Sequence, residues 1–384
     1  MITLVKDTIS HNEIDDLADW LKTYPRLTKG PLTLEFEQKW SDWLGVNHSL
    51  FCNSGSSANL LMLQALLEDK LISRGSKVVV PSVAWSTDLA PVMQLGLEPI
   101  LCDADLGNLS VDIKHLENLF IMHEPDVLIL VSVLGLSPDM DAVMDLCFAH
   151  DVILLEDVCE SLGTIYKDEK LGTFGLMSSF STFFGHHLST IEGGVVCTDD
   201  PRLSEVLKSI RSHGWDRDLN VESQFQLQQD WDVSEFNSLY TFYYSGFNMR
   251  STDLQAFLGI SQLDRADDIC ADRERNFQYY QRQLKNSYWK VKPLDDTFTS
   301  NFAYPVIHPE RELIVQALQD QDVEVRPMIC GSMGTQPFYM KRYEKLILKN
   351  VTEIDTFGFY LPNHPELTYE EITLVCNIVN EYTK

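Results

Sequence analysis

The sequence predicts an α/β fold, with a mainly parallel sheet in a large lobe followed by a smaller α+β lobe. Two observations carry that prediction. From residue 48 to 200, short runs rich in Val, Ile and Leu alternate with amphipathic stretches of helical spacing. After "RLSEVLKSIRSHGW" the alternation stops, and the texture turns polar and aromatic. The length of 384 residues suits about two domains, or one large lobe with a smaller one.

In chain order the strand-like runs are "HSLFC", "SKVVVP", "EPILCDA", "DVLILVSV", "DVILLED", "SSFSTF" and "GGVVCT". Most are unbroken apolar runs rather than alternating ones, the pattern of strands covered on both faces. Between them lie "SSANLLMLQALLED", "STDLAPVMQLG", "DIKHLENLF" and "DMDAVMDLCFAHD", which read as the covering helices. Residues 216–245 read as loop. A long helix is expected from "DLQAFLGISQLDRADDICADRERNFQYYQRQL", then "YWKVKPL", "NFAYPVIHP", the helix "ERELIVQALQDQ" and a closing helix after "LT". This divides the chain into a large lobe at 1–250, including N-terminal helices, and a small lobe at 251–384. In open parallel sheets ligands bind at the carboxyl ends of the strands, so chemistry is expected there.

The charge balance narrows the partners. Against 57 acidic residues stand 30 basic ones, a net −27 spread along the chain. Such a surface repels phosphate backbones and anionic lipid, which argues against nucleic acid and membrane. The eight cysteines form no CxxC or CxC pair, and several sit in apolar runs. Free thiols in a reducing compartment are expected, with no disulfides and no metal site. The start "MITLVKDTISHNEIDD" lacks a basic segment followed by an apolar one, so no secretory signal is read. The longest apolar run, "VLILVSVLGL" at 127–136, is about half a membrane span. The expected location is the cytoplasm.

Three segments at strand ends carry chemistry. "FCNSGSSANLLMLQAL" places Ser54, Gly55, Ser56 and Ser57 between a strand and a helix, where free N–H groups of the first turn suit a phosphate. A Ser-Gly turn that merely caps a helix reads equally well. "VILLEDVCESLG" delivers Asp157 past a buried strand, where a carboxylate can pair with a protonated ring nitrogen and keep an electron-sink pyridine cationic. A plain strand-end carboxylate is the competing reading. Trp85 in "PSVAWSTDLA" is placed either to stack on a planar cofactor or to pack in the core.

With "LTKGPLTLEFEQKW", "CDADLGNLSVD", "GLSPDMDAV", "LGTFG", "IEGGVVCTDD", "GFNMRSTDLQAFLGISQLD" and "YLPNHPELT", these segments resemble the DegT/DnrJ/EryC1/StrS sugar aminotransferases, in order and nearly end to end. The resemblance implies a fold-type I, aspartate aminotransferase-like enzyme dependent on vitamin B6, with a seven-stranded type of sheet. It also implies a homodimer whose sites lie between subunits. By position, Gly55, Ser56, Ser57 and Ser181 would hold the cofactor phosphate, Asp157 the ring nitrogen, and Trp85 the ring face. Asn248 would reach the neighbouring subunit's phosphate, and Glu160 stands where Gln is frequent.

One position departs from the pattern. Family aminotransferases carry a lysine six residues before the Glu of "EGG"; here that residue is His186, in "FFGHHLSTIEGG". No lysine occurs from 171 to 207, and Lys170 reads as part of an exposed hairpin. Histidine forms no Schiff base, so the cofactor would be held non-covalently as pyridoxamine 5′-phosphate. The replacement resembles the sugar 3-dehydratase branch, as do "SHGWDRD" (212–218) and "VEVRPMICG" (323–331). It implies C3 deoxygenation of a nucleotide-linked 4-keto-6-deoxy sugar, GDP-4-keto-6-deoxymannose foremost, with L-glutamate regenerating the cofactor. His186 would be the acid–base residue. His187 falls one position out of step and would point to the other side of an extended segment. It joins Ser86, His213, Trp215, Arg217, Arg250 and Arg326 as expected substrate contacts. No cysteines cluster in 193–270, which argues against an iron–sulfur cluster. An aminotransferase with a non-covalent cofactor and an inactive B6-binding sensor are the alternatives.

Overall fold

A computed structural model describes residues 1–285 and 288–382. The seven apolar runs form one sheet of seven strands: β1 His48–Cys52, β2 Lys77–Pro81, β3 Glu98–Cys102, β4 Val127–Val131, β5 Ile153–Asp157, β6 Met177–Ser181 and β7 Gly194–Thr198. Their order is β1-β7-β6-β5-β4-β2-β3. All neighbours are parallel except β7, which runs antiparallel to both β1 and β6. The expected mainly parallel α/β fold is borne out. Because β7 alone is reversed, the carboxyl ends of the other six share one edge.

Helices α1 His11–Leu21, α2 Pro31–Leu44, α3 Gly55–Glu68, α4 Ser86–Gln94, α5 Ile113–His123, α6 Met140–His150 and α7 Pro201–Arg211 precede the polar segment. They cover both sheet faces. On one face Leu61, Val78, Val80 and Ile129 pack together; on the other Phe36, Trp40, Phe51, Val79 and Leu128 do. Alternate residues of β2 thus enter opposite cores, which explains why the run reads as unbroken. Each such fully buried side chain contributes about 1.5–3 kcal/mol.

The segment read as loop holds two short helices, α8 Val221–Asp230 and α9 Glu235–Ser238. Asn220 and Ser234 cap them through Ser223 N and Asn237 N. α8 buries no residue, so no apolar stripe announces it.

Next come α10 Asp253–Leu263 and α11 Ala266–Gln283. The division after residue 250 falls just before α10, yet Ala256 and Leu263 of this helix lie in the same core as Phe36 and Trp40. The Asp253 carboxylate also accepts hydrogen bonds from Gly30 N (2.7 Å) and Thr33 N (3.0 Å), closing the start of α2. A second sheet is antiparallel throughout: β8 Tyr304–Ile307, β9 Arg326–Pro327 and β10 Gly358–Leu361, in the order β8-β10-β9. With it come α12 Arg311–Gln319, α13 Lys349–Phe357 and α14 Tyr369–Asn380. The N-terminal segment ties the two parts together. Ile2 bridges to Val323, while the Thr8 carbonyl accepts from Gln262 and Arg265 of the α10 region.

All eight cysteines are free; six are buried, and Cys159 and Cys330 are half-buried. Burial pushes the Cys52, Cys147, Cys197 and Cys376 thiols up to about 12. No helix among the described residues is long and apolar enough to cross a membrane.

Candidate active site

The shared carboxyl edge assembles the site. After β1, the Ser54 hydroxyl accepts from Ser57 N at 3.1 Å and caps α3. The turn is packed backbone to backbone. A Cβ on Gly194 would lie 2.3 Å from the Ser54 carbonyl carbon, and one on Gly55 would lie 2.8 Å from Ser181 Cβ. Neither glycine has room for a side chain. Free N–H groups, the Ser56 and Ser57 hydroxyls and Ser181 therefore surround a helix N-terminus, a setting suited to a phosphate.

β5 ends at Asp157, which is 6% exposed. Its Oδ2 accepts from Asn59 Nδ2 at 2.6 Å and its Oδ1 from Cys159 N at 2.9 Å. Asn59 in turn accepts from Ser179 Oγ at 2.5 Å and donates to Asp88 Oδ1 at 3.1 Å. Asp88, fully buried on α4, accepts from Trp85 N at 2.9 Å. Burial, and then the Asp157 charge, holds its carboxyl well above the usual range. Of the two carboxyls, Asp88 is the one whose surroundings favour holding a proton. Trp85 caps the same helix and is 56% exposed, which rules out the core-packing reading. Ser86 follows it as the first residue of α4.

Glu160 lies one turn beyond Asp157, its Oε2 accepting from Leu134 N at 2.8 Å, and burial pushes its carboxyl up to about 7. Arg326, exposed, stands opposite Tyr360 on the neighbouring strand, and burial followed by the Glu160 charge pushes the Tyr360 hydroxyl up.

Residues 182–193 are not extended. Thr182 N donates to Gly193 O, Thr190 N to Thr182 O, and His186 N to Phe183 O, each at 2.9 Å. In this folded turn the alternation of an extended chain does not apply, and that changes the account of His187. Read as a substrate contact, it is instead wholly buried, with Nε2 3.1 Å from the Ser300 carbonyl. His186 packs against Phe302 at 5.3 Å between ring centroids, and its buried Nδ1 has no hydrogen-bond partner. Burial pushes its imidazole down to about 4; the Arg273 cation acts in the same direction, and the Cys159 carbonyl and Asp157 oppose it. The ring is therefore neutral near pH 7. Lys170, read as exposed, lays its ammonium over the Trp43 ring at 3.9 Å.

His213, Trp215, Arg217, Asn248 and Arg250 form a separate cluster. The Arg217 guanidinium lies 4.0 Å from the Trp215 ring, Arg250 Nη2 lies 3.4 Å from His213 Nε2, and Arg250 Nε donates to Asn248 Oδ1 at 3.1 Å. Asn53 N donates to Met249 O at 3.0 Å, so this cluster flanks the Ser54 turn. It makes no hydrogen bond to His186 or Asp157 among the described residues. Asn59, Asp88 and Arg273 escape a reading of the sequence. Asp88 carries a faint signal, since it completes a capping box three residues after Trp85.

These groups fit a phosphorylated, aminated pyridine. There is a glycine-lined turn at a helix N-terminus, a buried carboxylate, and a neutral imidazole with an unmade hydrogen bond.

The comparisons agree with that fit. The family model described as "DegT/DnrJ/EryC1/StrS aminotransferase family" matches residues 7–380. GDP-4-keto-6-deoxy-D-mannose 3-dehydratase of Yersinia pseudotuberculosis is 32% identical over 365 residues, covering 92% of each chain. A crystal structure of GDP-4-keto-6-deoxymannose-3-dehydratase, a histidine-to-asparagine variant with bound GDP-perosamine, superposes with a TM-score of 0.90 at 27% identity, over 99% of this chain and 100% of that one. Another structure of an enzyme of that name, with a trapped PLP-glutamate geminal diamine, gives 0.89 at 26% identity over 99% and 100%.

Proposed function

Since this chain belongs to the DegT/DnrJ/EryC1/StrS aminotransferase family, we propose that it is a pyridoxamine 5′-phosphate-dependent 3-dehydratase of a nucleotide-linked 4-keto-6-deoxy sugar, GDP-4-keto-6-deoxymannose. Similarity to the Yersinia dehydratase over 92% of the chain supports the substrate class. The observation that carries the reaction is His186, a neutral imidazole at the position of the family's Schiff-base lysine.

When bound, the cofactor supplies an amine that condenses with the 4-keto group and a pyridinium ring that takes up electrons. The chain's own residues do the rest. The N–H groups at Gly55 and Ser56, with the Ser57 and Ser181 hydroxyls, would hold the phosphate, and Asp157 would pair with the ring nitrogen. Trp85 covers the ring. Neutral His186 takes the proton from the cofactor C4′ and returns it to the oxygen leaving C3, which departs as water. Glu160, partly protonated near pH 7, is able to donate as well as accept a hydrogen bond beside the ring. Glutamate, trapped in the structure of the related dehydratase, is the amino donor and leaves as 2-oxoglutarate, its nitrogen being released as ammonia when the deoxygenated sugar returns to the ketone. Family membership also supports a homodimer in which Asn248 and Arg250 serve the partner's site. Buried free thiols support a reducing, cytoplasmic setting.

His186→Asn tests the reading. The variant is expected to fold and bind pyridoxamine 5′-phosphate, and to deoxygenate GDP-4-keto-6-deoxymannose about 10²–10⁴-fold more slowly in a mass-spectrometric product assay with glutamate. His187→Asn is expected to retain far more activity. The reverse ranking of the two histidines would overturn the assignment. A wild-type product that gains an amine, with its oxygen count intact apart from the keto group, would show an aminotransferase.

A further inference from the structure

α11 carries a cation that the reaction as written does not use. Arg273 is 1% exposed, and among the described residues no carboxylate lies within 4.0 Å of its guanidinium. Buried arginines are ordinarily paired, because an isolated charge in a low-dielectric interior is costly. Arg211 shows the ordinary solution, at 2.6 Å from Glu37. Arg273 is held by main-chain carbonyls instead. Nη1 donates to the oxygens of Asn363 at 2.6 Å, Phe302 at 2.9 Å and Asn301 at 3.5 Å, and Nη2 reaches the His186 oxygen at 3.5 Å; Nε has no acceptor.

Those carbonyls belong to three separate segments, which converge on the histidine turn. The Phe302 ring stands 6.0 Å from the guanidinium and 5.3 Å from the His186 ring, so the arginine also fixes the wall against which the imidazole packs. Asn363 completes the clamp, donating back to the Arg273 carbonyl at 3.0 Å. A carboxylate partner would have cancelled the charge, whereas carbonyl dipoles leave it felt at short range.

We propose that Arg273 is a positioning residue for His186: it clamps the main chain of the histidine turn and the Phe302 ring, and its unneutralised charge, alongside the burial of the ring, disfavours a second cation there. The proposal rests on His186 being the acid–base residue. The other charged or polar groups facing that imidazole are Asp157 and the Cys159 carbonyl, from β5 and its end, and His187 on the same turn. Asp157 and the carbonyl favour protonation. Facing Arg273 are Cys270 on its own helix, together with His187 and His364, whose rings its charge also disfavours as cations. The sign is therefore definite: removing the guanidinium raises the proton affinity of His186.

The test uses the full-length chain labelled with ¹³C-histidine, the His186 signal being assigned by His186→Asn, and titrated by NMR from about pH 3.5 to about 8. Wild-type His186 is expected to stay neutral well below the ordinary histidine value. In Arg273→Gln its titration, and the acid limb of kcat/KM, should both move up by a few tenths of a pH unit, burial remaining the larger cause. Arg273→Lys, which keeps a cation, should return most of the shift. Identical titrations in all three proteins, with only KM or thermal stability changed, would reduce Arg273 to a structural clamp and overturn the proposal. Should Arg273→Gln fail to fold, a wild-type His186 that titrates at its ordinary value or above overturns it alone. The titration is read without turnover, so it is separate from the activity of His186→Asn, on which the assignment of the acid–base residue depends.

Discussion

Asp88 and Asp157 flank one amide nitrogen of Asn59, at 3.1 and 2.6 Å, and cannot both be charged without repelling each other strongly. Asp88 is the more enclosed and takes the proton. Its folded pKa lies above the unfolded 3.8, so the native state keeps a proton that the unfolded chain gives up. Stability from this group therefore falls as pH rises above 3.8, towards the raised value. Asp88→Asn cannot ionise in either state and escapes that loss. Its stability relative to the parent is expected to improve between pH 5 and pH 7 in urea denaturation, as the sign of this linkage requires. An unchanged difference at the two pH values would mean that native Asp88 is already ionised. His186 is legible in the sequence because the family pattern has a slot there and the slot holds the wrong residue. Asn59 is not legible, being a polar residue in an apolar helical run whose role exists only once β5 and β6 stand beside α3.

At the scale of elements, strands are legible because burial on both faces leaves a continuous apolar run. α8 is missed because it buries nothing. The histidine turn is misread for a related reason: alternation holds only in extended chain, and hydrogen bonds across residues 182–193 fold it instead. The cradle depends on contact between elements, with the start of β7 pressed on the turn before α3. Gly194→Ala would drive a methyl group into the Ser54 carbonyl, at 2.3 Å. Main chain must shift there. The expected result is a cofactor dissociation constant raised at least tenfold, about 1.4 kcal/mol, together with a loss of stability of about 1–3 kcal/mol. Equilibrium dialysis with pyridoxamine 5′-phosphate and a urea titration measure the two. Unaltered affinity would show that the phosphate does not depend on this turn.

The whole molecule raises the question of assembly. Asn248 and Arg250 flank the cradle of their own chain, and completing a partner's site is an expectation that subunit mixing can decide. His186→Asn and Asn248→Ala subunits, each inactive alone, are expected to recover activity when exchanged, because one of the two shared sites then inherits neither lesion. No recovery after demonstrated exchange would place all groups of a site in one chain. Most of this architecture is legible from the order of its motifs, whereas the Arg273 clamp joins residues from 186 to 363 and leaves no local pattern. The buried thiols have a further consequence for handling this protein. With thiols held at about 12, the reactive thiolate of Cys52 or Cys197 is on the order of 10⁻⁵ of the total at pH 7 in the closed state. Alkylation there has to wait for the sheet to open, whereas the half-buried Cys159 and Cys330 lie closer to solvent. Mass-resolved labelling of the native cysteines is thus a built-in clock, with Cys52 and Cys197 on β1 and β7 timing the parting of the central strands and Cys376 on α14 timing the release of the C-terminal helix.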